Sequence, residues 1–498
     1  MVFSTTIFLF LFLPLFLTGY YILPFRFRSG WILLGSWIFY SWWRVDFLAL
    51  LVGTTVWTYL LGRTVSRRSQ SPLHARTALI AGIVLNIGSL AYFKYFNFAV
   101  DSVNAVLSTA GAETLSVWNV ILPIGISFYV FQATSYLIDV YRGDAPPARS
   151  YTDLAAYIAL FPQLIAGPIL RYKDLAEQFH QRNHNFDKFS DGARRFMTGF
   201  CKKVLIADTV AVIADSAFAL EQPGLVGAWL GTLAYTSQLY FDFTGYSDMA
   251  IGLGLMMGFR FMENFNYPYI SPSITEFWRR WHISLSSWLR DYLYIPLGGN
   301  RLSTAKTYRN ILLVMLLGGL WHGAAWTFVI WGLWHGALLM SERFFARSAK
   351  TADSVSLAGS AGSPGLSGSP ASTGGKGERL RLWALQASAL PRTFFLVMLG
   401  WIIFRAPDMA TAGRMYAGLF GFHGLGQFEM LQVEAGLLSP AVLIVSLVLI
   451  FYIPRFSLEP EVMTGKMEYL RLLIIPLFFL GILKLAAESF SPFLYFQF

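Results

Sequence analysis

Residues 311–340 read ILLVMLLGGLWHGAAWTFVIWGLWHGALLM and contain no Asp, Glu, Lys or Arg. A charge-free run of this length is typical of a membrane segment. His322 lies in the middle of the run. An ionisable side chain at membrane depth is costly, so such groups usually face a protein cavity and mark a functional site. Histidine titrates nearest neutrality, burial favours the neutral imidazole, and that form can act as a base. The run therefore indicates chemistry inside a membrane.

The length of the same run argues against one straight span. As a helix, its residues would extend about 45 Å, whereas the hydrocarbon core of a bilayer is about 30 Å thick. Basic residues flank both ends, at Arg309 and Arg343. These features predict a helical hairpin or a dipping element that breaks near Gly318-Gly319 and carries His322 near its tip.

The composition of the whole chain agrees with a membrane location. The 498 residues are 55% hydrophobic and 13% charged, with a mean hydropathy of +0.51. A soluble domain is usually about one quarter charged. The apolar runs are continuous rather than alternating, which favours helices over a closed barrel. The sequence predicts an all-α polytopic protein with about 10–12 membrane segments, re-entrant elements included.

Charge asymmetry predicts the orientation, because cytoplasmic loops carry an excess of Lys and Arg. We place the basic loops 26–28, 63–76, 142–149, 173–203 and 260–309 in the cytoplasm. Three loops with acidic and no basic residues, 101–117, 221–229 and 423–435, lie outside. The same bias accounts for the net charge of +10 without a nucleic-acid partner. The predicted spans are 3–23, 30–43, 47–62, 77–98, 119–141, 204–220, 225–258, 384–404, 437–454 and 472–490.

Two further segments shape the predicted organisation. Residues 151–170 have basic flanks on both sides and contain Pro162 and Gly167-Pro168, so we expect a re-entrant element. Residues 351–377 are almost wholly Ser, Gly, Ala, Pro and Thr, which is typical of a flexible linker. The predicted division is a membrane core over 1–346 with a catalytic region at 240–340, a cytoplasmic linker over 347–382, and C-terminal transmembrane helices over 383–498.

Polar and aromatic residues concentrate between 240 and 301. Ser273 precedes Glu276 by three residues, a capping box that predicts a helix continuing from Phe277 to Leu289. Such a helix could simply lie at the membrane surface, held by tryptophans and snorkelling arginines. His282 lies within it.

The tripeptide WHG occurs twice in the apolar run, at Trp321-His322-Gly323 and Trp334-His335-Gly336. On a continuous helix, the thirteen-residue spacing turns roughly 220°, so the two histidines would point apart. No Cys, Asp or Glu lies within the run, so we expect no metal site. We interpret His335 as part of the scaffold and His322 as functional.

The segment RRWHISLSSWLRDYLYIPLGGNR, followed by GGLWHGAAW, resembles the membrane-bound O-acyltransferase family. The segments FYSWWRVDF, LPIGISFYVFQATSYLIDVYRGD and QLYFDFTGYSDMAIGLGLMMGFRFMENFN extend the resemblance from residue 1 to about 405 and narrow it to the bacterial branch that O-acetylates alginate. The resemblance implies a central tunnel in which His282 and His322 meet, although they lie 40 residues apart in sequence. It implies that both are catalytic, with His322 as the general base. Candidates for donor binding or for lining the tunnel are Arg279, Arg280, Trp281, Arg290, Trp321 and Asp242.

The resemblance also implies a reaction and its partners. Acetyl is taken from a cytoplasmic thioester, acetyl-CoA as co-substrate with no bound cofactor, and passed across a bacterial inner membrane to an exported polysaccharide, with alginate the first candidate. The chain contains no GxSxG motif. Periplasmic serine-dependent acetyltransferases and a polysaccharide secretion complex are therefore expected partners, besides membrane lipid and the polymer itself. The alternatives are another polymer (cellulose, peptidoglycan or a teichoic acid), a polysaccharide exporter or flippase, and a structural subunit of a synthase.

Overall fold

The computed structural model describes residues 1–360, 376–426, 436–456 and 472–487, and these residues form helices without a β-strand. The all-α prediction is confirmed. The first helices are α1 (Phe8–Ile22), α2 (Phe25–Ser41), α3 (Asp46–Val65), α4 (Pro72–Thr109), α5 (Ile126–Arg142), α6 (Tyr151–Ile158), α7 (Phe161–Leu164), α8 (Tyr172–Leu175), α9 (Phe186–Cys201) and α10 (Asp208–Ala219).

The remaining helices carry the polar region and the C-terminal part of the chain. They are α11 (Leu225–Met256), α12 (Ile274–Arg280), α13 (Ile283–Leu289), α14 (Thr304–His322), α15 (Trp326–Ser360), α16 (Lys376–Arg405), α17 (Met409–Leu419), α18 (Leu438–Phe456) and α19 (Ile474–Ala487). A π-helical turn, Lys202–Ala207, joins α9 to α10.

The outer helices are the most apolar. Within the described ranges, α3, α4 and Ser388–Arg405 of α16 are long and apolar enough to cross a membrane, and α1, Leu438–Tyr452 of α18 and α19 are shorter apolar helices. The central helix α11 is different because protein, rather than lipid, covers nearly all of its sides, so it can carry Asp242 and Asp248. The chain is a membrane protein whose central helix keeps its polar groups inside the bundle.

Glycines bring α9 and α11 into close contact. A Cβ on Gly199 would lie 2.4 Å from the Gly245 carbonyl oxygen, and one on Gly192 would lie 2.6 Å from the Gly252 carbonyl oxygen. Backbones can approach this closely only where side chains are absent, which is a common device in membrane helix packing. This contact fixes α11 at the centre of the bundle.

The apolar run 311–340 forms a hairpin of α14 and α15, as predicted, with His322 at the turn. The predicted break at Gly318-Gly319 is wrong, because the helix continues to His322 and the extended residue is Gly323. Gly319 instead lets α15 approach, since a Cβ there would lie 2.2 Å from the Phe328 carbonyl oxygen. The glycine pair therefore serves helix packing and not the turn.

Residues 151–170 are interrupted, as predicted for a re-entrant element. The short helices α6 and α7 are separated at Ala159–Leu160, and non-helical backbone follows through Gly167 and Pro168. The segment is buried from Asp153 to Tyr172. Irregular backbone is tolerated at membrane depth when protein surrounds it.

The segment predicted as a linker is described only at its ends. Helix α15 runs to Ser360 and α16 begins at Lys376, so helix extends into both ends of the range 347–382. Residues 361–375 lie outside the described residues. The flexible linker and the three-part division of the chain stay predictions.

Candidate active site

His322 is the last residue of α14 and is 5% exposed. The last four carbonyls of a helix have no partner within it, so a buried helix end needs other donors. Here the Gly323 amide donates to Gly319 and the Tyr95 hydroxyl donates to the Leu320 oxygen at 2.8 Å. Lys94, which precedes Tyr95 in α4, donates to the other two carbonyls, those of Trp321 and His322. The backbone position of His322 is thus fixed by contacts from α4.

Lys94 is a cation that is 8% exposed. Its Nζ donates to the carbonyl oxygens of Trp321 at 2.5 Å and His322 at 3.0 Å, and to the Ser127 hydroxyl at 3.4 Å. A cation at the carboxyl end of a helix also interacts favourably with the helix dipole. Lys94 therefore caps α14 directly beneath the histidine.

Aromatic rings surround the His322 imidazole. Its ring centroid lies 5.1 Å from Trp321, 5.1 Å from Trp331 and 5.2 Å from Phe404, all in edge-to-face arrangements. The indole N–H groups of Trp321 and Trp331 are buried without a hydrogen-bond acceptor in the part of the chain that the structure describes. The histidine thus lies in an apolar pocket that holds two unused donors.

A cavity of about 540 Å³ reaches this pocket. Lys94, Trp321 and His322 line it, together with the N-terminal residues, the end of α2 and residues 122–128, which lead into the first turn of α5. These residues adjoin the acidic loop 101–117. Lys94 also lies 22 residues along α4 from its start at the basic loop, or about 33 Å away. The cavity therefore opens on the face opposite to the basic loops.

His282 lies at a break in the predicted helix. Ser273 caps α12 as predicted, accepting a hydrogen bond from the Glu276 amide at 3.1 Å, but α12 ends at Arg280 and α13 begins at Ile283. His282 has φ of 45°, a left-handed conformation that is uncommon outside glycine. The continuous helix predicted from Phe277 to Leu289 is wrong, because the chain turns at His282 to place its ring inside the protein.

Asn264 holds this turn. Its backbone oxygen accepts from the Ile283 amide at 2.9 Å, and its side-chain oxygen accepts from the Ser284 amide at 3.2 Å and the Ser284 hydroxyl at 2.9 Å. The Asn264 amide nitrogen donates to Ser247 at 3.2 Å. Strained backbone at a buried polar residue persists only when its surroundings determine it, and it is often found at functional sites.

The same contacts determine the tautomer of His282. Nδ1 lies 3.2 Å from the side-chain Oδ1 of Asn264. The Ser284 backbone amide also donates to this Oδ1, so the atom is an acceptor, and the Ser284 hydroxyl lies closer to Oδ1, at 2.9 Å, than to Nδ1, at 3.4 Å. This arrangement favours the tautomer with the hydrogen on Nδ1. The Nε2 of neutral His282 then holds a lone pair. It can accept a proton or a hydrogen bond, but it has none to donate.

The structure brings His282 and His322 together. Their ring centroids are 6.3 Å apart, and Trp321 lies beside both, at 5.8 Å from His282. His282 is fully buried, whereas His322 faces the cavity. A substrate in the cavity would therefore meet His322 first, with His282 behind it.

The other predicted site residues are divided among the pocket, the interior of the bundle and the surface. Trp321 lines the pocket, whereas Trp281 is buried against Trp401, with ring centroids 5.0 Å apart. Arg279 and Arg280 pair with Glu276 at 3.5 and 2.8 Å, and Arg290 pairs with Asp291 at 2.7 Å. Asp242 pairs with Lys203 at 3.0 Å. The described contacts do not join these three arginines or Asp242 to either histidine.

His335 is buried among aromatic rings on α15. Its Nδ1 accepts from the Trp278 indole at 3.3 Å, and the Trp331 ring lies 5.0 Å away. A Cβ on Gly400 would lie 2.9 Å from its Nε2, so α16 packs directly on the imidazole. The cavity at His322 is not lined by His335. Its position agrees with the scaffold role predicted for it.

Sequence reasoning missed Lys94, Asn264 and Ser284. Lys94 carried a usable signal, since it is a charged residue inside the predicted span 77–98 and the argument applied to His322 holds for it equally. Asn264 and Ser284 carried none, because asparagine and serine are ordinary residues near a polar loop. Their roles depend on a turn that the sequence does not reveal.

Replacing Lys94 with methionine should lower catalytic turnover at least about tenfold, because two buried carbonyls at the end of α14 lose their donor and each unsatisfied group costs about 1–3 kcal/mol. Lys94→Arg, which keeps the charge, should retain more of the rate. The measurement is turnover per folded molecule, with thermal unfolding recorded alongside. A Lys94→Met protein with unchanged turnover would show that this cap does not position His322.

Comparison with known proteins finds relatives that are named as O-acyltransferases or O-acetylases. Residues 148–355 match the model of the membrane-bound O-acyltransferase family. Over the full length of both chains, this chain is 49% identical to the probable alginate O-acetylase AlgI of Azotobacter vinelandii and 51% identical to that of Pseudomonas putida. It is 34% identical to the peptidoglycan O-acetyltransferase of Helicobacter pylori, over 85% of this chain and 81% of that one.

Proposed function

Because this chain belongs to the membrane-bound O-acyltransferase family, we propose that it transfers acetyl from a cytoplasmic thioester to a hydroxyl that reaches His322 from the opposite face of the membrane. The protein is an O-acyltransferase. The donor is acetyl-CoA or a related acetyl thioester. The membrane is the bacterial inner membrane, oriented with the basic loops in the cytoplasm.

One observation carries this proposal: two histidines distant in sequence meet at the inner end of a cavity that opens away from the basic loops. An exporter would need a polar path through the protein, whereas Trp321, Trp331 and Phe404 crowd the His322 ring. A purely structural subunit would not need a buried histidine facing a cavity. The arrangement suits acyl transfer at a closed, positioned site.

The proposed reaction exchanges a thioester for an ester. His322 takes the proton of the acceptor hydroxyl while the hydroxyl oxygen attacks the carbonyl carbon of the acetyl group. The carbon–sulfur bond then breaks, and the proton passes from His322 to the departing thiolate. Because the thioester is already activated, the enzyme needs a base, a donor to the oxyanion and alignment of the two substrates.

The two histidines have different roles in this proposal. His282 lacks a hydrogen on Nε2 in its neutral form, so it acts as an acceptor that stabilises the proton held by His322, 6.3 Å away between ring centroids. The oxyanion needs a donor instead. The indole N–H groups of Trp321 and Trp331 are buried without an acceptor in the described chain, and both rings adjoin His322. We assign oxyanion stabilisation to them.

The final acceptor is an exported polysaccharide, and we propose alginate. The relatives from Azotobacter vinelandii and Pseudomonas putida, which share about half of their residues with this chain over the full length, are named for alginate, whereas the peptidoglycan relative is 34% identical. Periplasmic serine-dependent acetyltransferases and the secretion complex complete the transfer. They would approach the face on which the cavity opens.

The proposal is tested by acetyl transfer in isolated membranes that contain the full chain. Acetyl-CoA labelled in the acetyl group is added on the cytoplasmic side, with and without the candidate periplasmic acetyltransferase, and label in alginate is measured. We expect label in the polymer only when donor, chain and partner are all present. Unlabelled polymer in the complete system, or equal labelling in membranes without this chain, would refute the proposed function.

A further inference from the structure

Five basic side chains meet where the start of α2, the segment that leads into α9 and the residues after α11 come together. They are Arg28, Arg182, His184, Lys188 and Arg260, referred to as the Arg182 cluster. Gln178 joins two of its parts, since its backbone oxygen accepts from Arg182 at 2.8 Å and its side-chain oxygen accepts from the Arg260 amide at 2.8 Å. All five lie on the basic, cytoplasmic face, far from the cavity at His322.

Arg182 is the buried member of the cluster, 8% exposed. Aromatic rings cover its guanidinium, with centroids 4.2 Å away at Phe259, 5.0 Å at Phe25 and 5.7 Å at Phe179. Nη1 donates to Gln178 and the Tyr20 hydroxyl lies close enough to interact with the guanidinium, but Nε and Nη2 are buried and meet no acceptor at good hydrogen-bond geometry in the described residues. Ring faces can stabilise the plane of a guanidinium but cannot accept bonds from the N–H groups at its edge. The N–H edge of Arg182 formed by Nε and Nη2 therefore has no anionic partner in the described residues.

His184 contributes a second, firmly placed group. Its Nε2 lies 3.2 Å from the Met257 carbonyl oxygen, 3.1 Å from Nη1 of Arg28 and 2.9 Å from the Tyr20 hydroxyl. Gly258 makes room, since a Cβ there would lie 2.9 Å from the ring. Burial, and then the charges of Arg28 and Arg182, hold the pKa of His184 below its usual value. The surroundings of His184 are strongly positive.

Lys188 and Arg260 border the cluster on the solvent side. The Lys188 Nζ donates to the Gly258 carbonyl oxygen at 2.5 Å, and burial followed by the charge of Arg260 lowers its pKa. The carboxylate whose charge reaches Arg182 is Asp153. That carboxylate already accepts from the Ser150 hydroxyl at 2.7 Å and lies 4.0 Å from His180. Among the described residues, the cluster is therefore strongly positive, and Asp153 is held by other partners.

We propose that the Arg182 cluster binds a phosphate group at the cytoplasmic face. A buried arginine edge with flanking cations suits a phosphate, whose oxygens accept paired bonds from a guanidinium. The phosphate belongs either to the phosphate-rich thioester donor or to the headgroup of an anionic phospholipid. Its assignment to the donor rests on the proposed function, whereas the site itself does not.

The surface arginines are poorer candidates for this task. Arg279, Arg280 and Arg290 each have a carboxylate partner, Glu276 or Asp291, that a phosphate would have to displace. In the described part of the chain, Arg182 has no carboxylate within ion-pair distance, and its buried Nε and Nη2 meet no acceptor. The unpaired edge therefore distinguishes the cluster from the general basic surface.

Binding to the purified full-length protein in neutral detergent tests the proposal. Pyrophosphate and adenosine 3′,5′-bisphosphate are the soluble probes, and their affinity is measured by calorimetry. Arg182→Gln should weaken binding by about tenfold or more, since a charge-assisted hydrogen bond of about 1.5–3 kcal/mol is lost. Lys188 is half-buried and Arg260 is exposed, so Lys188→Gln and Arg260→Gln should fold. They should also weaken binding, and they replace Arg182→Gln in the test if that variant does not fold. Arg67→Gln, an exposed arginine on the same face, is the matched control and should bind as wild type.

A second arm identifies the source of the phosphate. The protein is placed in phosphatidylcholine nanodiscs with or without phosphatidylglycerol, and thermal unfolding is recorded. Stabilisation by the soluble probes assigns the site to the donor; stabilisation by phosphatidylglycerol alone, lost in Lys188→Gln, assigns it to lipid. Binding of neither, or equal weakening in Arg67→Gln, would overturn the proposal. Since these measurements need no turnover, a protein that binds phosphate without transferring acetyl would refute only the proposed function.

Discussion

Replacing His322 with alanine should reduce acetyl transfer by about 10²–10⁴-fold, the usual contribution of a positioned general base. The imidazole borders the cavity at the end of α14, and Lys94 and Tyr95 hold that helix end in place without its side chain. The variant should therefore fold. The measurement is labelled acetyl in the polymer per amount of folded protein, together with the amount of polymer secreted.

His335→Asn is the matched control, because His335 belongs to the second WHG and is also buried. It packs against Trp278, Trp331 and α16, so its replacement should lower the melting temperature while transfer per folded molecule is largely kept. More than about one tenth of wild-type transfer in His322→Ala would contradict the base assignment. Lost secretion with normally acetylated polymer would favour an exporter instead.

Replacing His282 with alanine should lower transfer by about a hundredfold, because His322 loses the neighbour that stabilises its proton. Asn264→Ala should cause a smaller loss of the same kind, since Asn264 holds the tautomer and the left-handed turn of His282. If Asn264 acts through His282, the double variant should be no slower than His282→Ala alone. Rates of the four proteins complete the cycle.

Ser247→Ala serves as the control for this cycle. It removes the hydroxyl that accepts from the Asn264 amide nitrogen but leaves the bonds to His282 and Ser284 intact. Its effect should be much smaller than that of Asn264→Ala. Losses that multiply in the Asn264, His282 double variant would show that Asn264 contributes independently of the histidine.

Much of the fold could be predicted from composition and periodicity, with errors at the helix ends. The predicted span 77–98 corresponds to α4, which runs from Pro72 to Thr109. Apolar composition marks the part of a helix that faces lipid, whereas its backbone hydrogen bonds continue into water. Likewise, excess length correctly predicted a hairpin at 311–340, but Gly318-Gly319 proved to be a packing contact.

The candidate site could be predicted only in part. The resemblance singled out His282 and His322, and the structure places their rings 6.3 Å apart. The capping box at Ser273 predicted the start of α12 but not its end, because the turn at His282 depends on hydrogen bonds from Asn264. Interactions between residues of one helical turn can be predicted from their spacing in the sequence. Hydrogen bonds that come from a separate loop cannot, because the spacing does not show which segments meet.

The sequence by itself determined that this is an all-α membrane protein and that His322 lies in an apolar run, and it predicted basic and acidic loops on opposite faces. Those properties follow from local composition, since charge and apolar length govern how a segment meets a bilayer. Only the tertiary structure decided that Lys94 caps the helix of His322, that Asn264 sets the tautomer of His282, and that Arg182 keeps an unpaired edge. These contacts join residues far apart in the chain, and their distances depend on how whole helices pack.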